Sequence, residues 1–136
     1  MRFPAAVVPL VVLALTAPAM AGPRSIKPRF DLRATPRIAF PPVRVLVTAE
    51  LSGGEDLEDF YCPGLEWDWG DGERSLYEAD CEPYAPGAAL ERRFSSRHVF
   101  RHAGDYDVRL TLRRADRAVA MASVRVSVQS GVGGVE

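Results

Sequence analysis

From Val43 to Leu51 apolar and polar positions alternate. Val43, Val45, Val47, Ala49 and Leu51 fall on one side, against Arg44, Leu46, Thr48 and Glu50 on the other. A period of two predicts a strand with one buried face. The same period returns at Leu65, Trp67 and Trp69, interleaved with Glu66 and Asp68, and Glu73 to Tyr77 reads as the returning partner. Leu90, Arg92 and Phe94 open a less regular strand that runs toward Val99. Tyr106, Val108, Leu110 and Leu112 point one way, and Asp105, Asp107, Arg109 and Thr111 the other. The last strand runs from Ala118 to Gln129, with Val124, Val126 and Val128 on one face. Arg37 to Phe40 adds a short first strand, stopped by Pro41-Pro42. No helical period of useful length interrupts this series. Many short strands with frequent turn residues predict an all-β, two-sheet antiparallel sandwich.

The connections are as informative. Asp71-Gly72 is a preferred pair for a two-residue hairpin turn, because both central residues need positive φ. Ser52 to Gly64 and Glu78 to Ala89 are long loops. Residues 22–36 are rich in Pro and Arg without a sustained period and read as a linker. The Gly-rich residues 130–136 read as a disordered tail, which leaves 37–129 as the folded domain.

Residues 1–21 read as a signal peptide. Arg2 is followed by an apolar run from Ala5 to Ala17, too short to span a bilayer comfortably, and by the small-residue site Ala19-Met20-Ala21. Export and a soluble mature chain, periplasmic or secreted, are the expectation. Removing the segment takes Arg2 from the 17 basic residues and leaves the 18 acidic ones untouched. A nearly neutral domain without a basic run is not built to hold nucleic acid or anionic lipid. A single lysine among the basic residues points to a GC-rich, bacterial coding bias.

Two motifs carry a resemblance. Trp67-Asp68-Trp69-Gly70-Asp71-Gly72 matches the Trp-Asp-aromatic-Gly-Asp-Gly motif of the PKD (polycystic kidney disease) domain. His98, Phe100, Gly104, Tyr106, Val108 and Leu110 match that family's later His-x-aromatic and Gly-x-Tyr-x-Val-x-Leu pattern. The sequence resembles a PKD domain from about Pro36 to Gln129, with Trp69 where Phe is usual and Phe100 where Tyr is usual. The resemblance implies an immunoglobulin-like β-sandwich. It also implies a non-catalytic recognition module that contacts a protein or a carbohydrate. The alternative is a structural or accessory subunit of a larger cell-envelope assembly.

The cysteines fit export. Two in an exported chain predict a disulfide. A two-residue turn on Asp71-Gly72 pairs Gly70 with Glu73 and, extended, sets Cys62 opposite Cys81. Their parity is that of Glu66, not Trp67, so the bridge is expected to tie the two long loops rather than the two sheets. The spacing is not the Cys-x-x-Cys of a redox pair.

Candidate chemistry is sparse. Asp68, Asp71 and Glu73 lack the spacing of a Ca²⁺ loop, and Asp71 is expected to fix the turn. His98 and His102 without a nearby cysteine make a poor zinc set, and His98 takes the place of the family's packing histidine. Ser95-Ser96 beside His98 lacks a nucleophile elbow. No catalytic residue, metal or cofactor is therefore expected. Tyr106 after Gly104 is expected to form a tyrosine corner. Phe60, Tyr61, Tyr77 and Tyr84 are the candidate ligand contacts, Tyr77 from an outward parity and the others from the loops. The acids Glu55, Asp56, Glu58, Asp59, Asp80 and Glu82 around them favour a cationic or neutral partner.

Overall fold

A computed structural model describes residues 1–6, 9–19, 22, 26–55 and 57–131. The described part of the apolar N-terminal segment is exposed and holds no helix or strand; Met20 and Ala21 of the expected cleavage site lie outside the described residues, as do residues 132–136 of the tail. No described helix is long and apolar enough to cross a membrane.

Among the described residues, eight strands follow in the order β1 (Arg29–Thr35), β2 (Ile38–Ala39), β3 (Val43–Ser52), β4 (Gly64–Asp68), β5 (Arg74–Tyr77), β6 (Arg93–Phe100), β7 (Gly104–Arg114) and β8 (Arg117–Val128). They form a three-stranded sheet, β1-β3-β6, and a five-stranded sheet, β2-β8-β7-β4-β5. Each alternating stretch of the sequence became a strand because its apolar parity has an opposing sheet to bury against. Val45, Val47, Ala49 and Leu51 of β3 face Trp67 of β4, Val108, Leu110 and Leu112 of β7 and Val126 and Val128 of β8 in one core. At about 25 cal/mol per Å² of apolar surface, this shared burial is the main stabilising term.

Two expectations need correction. The Pro/Arg-rich segment 22–36 is not simply a linker, because Arg29–Thr35 is a strand paired with β3 along its length. Leu32 and Ala34 are buried and Phe30 packs against the core. The arginines at alternate positions, Arg29 and Arg33, stay exposed on the outer face. From Thr35 the chain crosses to the other sheet, where Ile38–Ala39 pairs in parallel with β8. That crossing closes one flank of the sandwich.

The hairpin register is also shifted by one. Trp69 N–H donates to the Glu73 carbonyl at 3.1 Å, enclosing Gly70-Asp71-Gly72 as the turn. Positive φ falls on Gly70 (77°) and Gly72 (94°), not on Asp71. Two carboxylates stabilise this form: Asp68 Oδ1 accepts from Gly70 N–H and Asp71 Oδ1 from Glu73 N–H, both at 3.0 Å. Gly70 is also the point of closest approach to β7, where a Cβ would stand 2.7 Å from the Asp107 carbonyl oxygen. Leu65 therefore pairs with Tyr77 and Trp67 with Ser75. A slip of one residue exchanges the faces of a strand, so Tyr77 shares the inner parity of Trp67 instead of the outer one.

On the outer face Glu66 links both neighbouring strands. Its carboxylate bridges Arg113 of β7 at 2.5 Å and Arg74 of β5 at 3.3 Å, and Arg74 also meets Asp68 at 3.4 Å.

Candidate functional site

An aromatic row runs between the sheets and carries the recognised motif residues. Trp67 stacks on Trp69 with centroids 5.2 Å apart, and Trp69 on His98 at 4.5 Å. His98 and Phe100 meet in a T-shaped contact at 4.9 Å, and Phe100 stacks on Tyr106 at 4.5 Å. The Tyr106 hydroxyl donates to the His102 carbonyl at 2.6 Å, which is the tyrosine corner expected from the sequence. Trp69 Nε1–H donates to Ser75 Oγ at 3.0 Å.

His98 enters this row with its Nε2 2.6 Å from Asp71 Oδ2 and 3.8 Å from Glu73 Oε2. The three donor atoms lie within 4.8 Å of one another, a juxtaposition that the sequence reading missed because it grouped Asp71 and Glu73 with Asp68. Asp71 thus clasps the turn to β6 and fixes the imidazole plane against Trp69. Partial burial pulls the Asp71 carboxyl upward. The hydrogen bonds from His98 and from the Glu73 backbone, together with the His98 charge, outweigh burial and hold it below its ordinary value of 3.8. A carboxyl depressed in the folded state contributes stability that is complete above its unfolded pKa and disappears as pH falls through the folded one. The melting temperature of the wild type is therefore expected to fall more steeply below about pH 4 than that of Asp71→Asn. Parallel slopes in scanning calorimetry from pH 5 down to pH 2 would contradict the clasp.

The four aromatic candidates separate. Phe60 ends a single 3₁₀ turn, Glu58–Phe60, and is buried in the core. It is a plug and not a surface contact, which corrects its place among the ligand candidates. Tyr61 and Tyr84 are half-buried and meet edge-on at 5.4 Å. The Tyr61 hydroxyl donates to the Glu82 carbonyl at 2.7 Å. The Cys62–Cys81 disulfide closes beside them, with Cα atoms 6.3 Å apart. It forms where the ladder has ended, since β4 starts at Gly64 and β5 stops at Tyr77. The bridge thus ties the two long loops, as expected, but through irregular chain and not through an extended hairpin. Tyr77 is 60% exposed.

The acidic character of the first loop is reduced by the scaffold. Asp59 pairs with Arg117 at 3.1 Å and Glu58 with Arg114 at 3.9 Å, and Arg114 also donates to the Glu58 carbonyl. Asp56 lies outside the described residues.

These pieces converge on one groove of about 640 Å³. It exists because three strands face five. β4 and β5 extend past β6, so inner-face residues of the larger sheet have no strand opposite them. Leu65, Trp67, Ser75 and Tyr77 line one wall, Phe94 and Ser96 of β6 the other, and Tyr61 with the disulfide closes one end. Strand alternation alone could not reveal Leu65, Ser75, Phe94 and Ser96 as lining residues, because their place on the groove follows from strand count per sheet.

No family model matches the sequence, and no curated protein matches it. Among solved structures, it is similar to the PKD domain of an M14-like peptidase from Thermoplasmatales archaeon SCGC AB-540-F20. The match covers 77% of this chain and 98% of that one, at 15% identity and a TM-score of 0.52. The aromatic row, the tyrosine corner, the two-sheet topology and this likeness agree: the chain has the immunoglobulin-like sandwich fold of a PKD domain.

Proposed function

We propose that this protein is an exported, non-catalytic recognition module whose ligand lies in the groove between β5 and β6. The observation that carries the reading is the groove itself. Its lining joins the apolar side chains of Leu65 and Tyr77, and the margins of the buried Trp67 and Phe94, to hydroxyls at Ser75, Ser95 and Ser96 and charges at Glu91 and Arg93. A concave apolar surface with a few polar groups is the usual form of a binding site. The disulfide and the Tyr61 contacts hold its end in place, which lowers the ordering cost of binding. Export is supported by the disulfide, which persists in oxidising compartments, and by the N-terminal signal-like segment. The ligand is a protein or a carbohydrate.

Tyr77→Ala is the direct test. Its ring is exposed and its hydroxyl has no hydrogen-bond partner among the described residues, so the substitution is expected to change stability by no more than about 0.5 kcal/mol. Capture of a ligand from the envelope fraction of the source organism, or binding on a glycan array, is expected to be lost. Full binding by the folded variant rules the groove out. The second reading, an accessory subunit of an envelope assembly, is favoured by one feature: the outer edge of β6 carries no neighbouring strand among the described residues.

A further inference from the structure

One wall of the groove is a free strand edge. Leu51 N–H donates to the Arg92 carbonyl at 2.7 Å, and the β3–β6 register continues from that pair. Alternation of an antiparallel ladder then turns the backbone groups of Phe94, Ser96, His98 and Phe100 toward β3. Those of Arg93, Ser95, Arg97 and Val99 turn outward. No backbone hydrogen bond from the 78–92 connection reaches them among the described residues. The opposite edge of this sheet, β1, packs against β8, and the β1–β2 crossing covers that flank. The open flank is therefore the β6 side, where the free edge borders the groove; β5, the edge strand of the other sheet beside it, offers only the four residues Arg74–Tyr77.

We propose that β6 takes an extended segment of a partner protein as an added strand, with apolar side chains in the groove and acidic ones on the solvent face. The proposal rests on the groove reading above and selects a peptide over a glycan. Four residues of outward N–H and C=O repeat every second position, at about 6.6 Å, and a polypeptide strand meets each of them at its own repeat. Side chains of such a strand alternate. One set enters the groove between Phe94 and Ser96 on one wall and Trp67 and Tyr77 on the other. The other set lies over the outer face beside Arg93, Ser95, Arg97 and Val99. Arg93 is balanced by Glu50 at 3.9 Å. Arg97, and Arg44 opposite Val99, have no ion-pair partner among the described residues. Carboxylates on the added strand complement them.

The probe is a blocked nonapeptide alternating valine and glutamate, titrated into isotope-labelled protein. Amide shifts and exchange protection are expected at Ser95, Arg97 and Val99. Ser95→Pro removes an outward N–H, a change that edge strands tolerate. It is expected to keep the melting temperature and weaken the peptide about tenfold or more. Replacing glutamate by lysine in the peptide is expected to weaken it similarly. Should Ser95→Pro fail to fold, N-methylation of alternate peptide residues replaces it: one register must abolish binding and the other spare it. Equal effects of both registers, or no peptide binding at millimolar concentration, overturn the proposal. So does a ligand lost in Tyr77→Ala yet retained in folded Ser95→Pro, the outcome for a glycan, and that leaves the groove reading standing. A ligand indifferent to both variants defeats the two together.

Discussion

Trp69→Ala is expected to destabilise the domain by about 3–5 kcal/mol, as removal of a fully buried tryptophan does. The ring is 1% exposed. It sits in the middle of the aromatic row, between Trp67 and His98. Its loss leaves a cavity and removes two stacking partners. It also strands Ser75, and it frees the imidazole that Asp71 holds in plane. Trp69→Phe separates these contributions, since it keeps a ring but not the donor to Ser75. A cost of about 1–2 kcal/mol is expected for that variant, from the lost hydrogen bond and a smaller void. Denaturant midpoints at constant slope give both numbers. A domain of this size has about 5–15 kcal/mol in all, so the alanine variant should be partly unfolded at physiological temperature. A Trp69→Ala midpoint close to that of the wild type would mean that the row is not the keystone between the sheets.

What the sequence disclosed, and what it withheld, divides along a physical line. Strand positions and buried faces were legible wherever alternation ran against a core: Val45 to Leu51, Trp67 and Trp69, and Tyr106 to Leu112 are all where their parity put them. Phe30, Leu32 and Ala34 alternate just as well, yet prolines on either side and intervening arginines gave Arg29–Thr35 the composition of a linker. The turn was ambiguous in a different way. Gly70-Asp71-Gly72 offers two glycines, and Asp71-Gly72 alone suggests the shorter turn. The choice was settled by the carboxylates of Asp68 and Asp71, which cap Gly70 and Glu73. That single residue of register decided the face of Tyr77. The groove was not legible at all, because no local pattern states how many strands join each sheet. Within the loops no parity exists, so Phe60 in the core and Tyr61 at the groove's end looked alike.

Opening the Cys62–Cys81 bridge is expected to cost about 3 kcal/mol, the chain-entropy value for a loop of this length. The two residues are separated by 19 positions, and the segment they enclose contains all of β4, the turn and β5. Other contacts between the loops are smaller. The Tyr61 to Glu82 hydrogen bond is worth about 1 kcal/mol, and the Tyr61–Tyr84 edge contact about 0.5–1.5 kcal/mol. Neither restricts the unfolded chain, so neither replaces the bridge. The double variant Cys62→Ser, Cys81→Ser tests the value without a reductant, by its denaturant midpoint against the oxidised wild type. Local consequences should exceed the global one. β5 is a short edge strand whose residues are all exposed, so it has little burial of its own to hold it. Amide exchange in Arg74–Tyr77 is therefore expected to accelerate more than exchange in β3 or β7. Ligand affinity at the groove is expected to fall with it, since Ser75 and Tyr77 form part of one wall. If the double variant instead matches the wild type in midpoint and in β5 exchange, Tyr61 and Tyr84 hold the loops unaided and the disulfide has no part in shaping the groove.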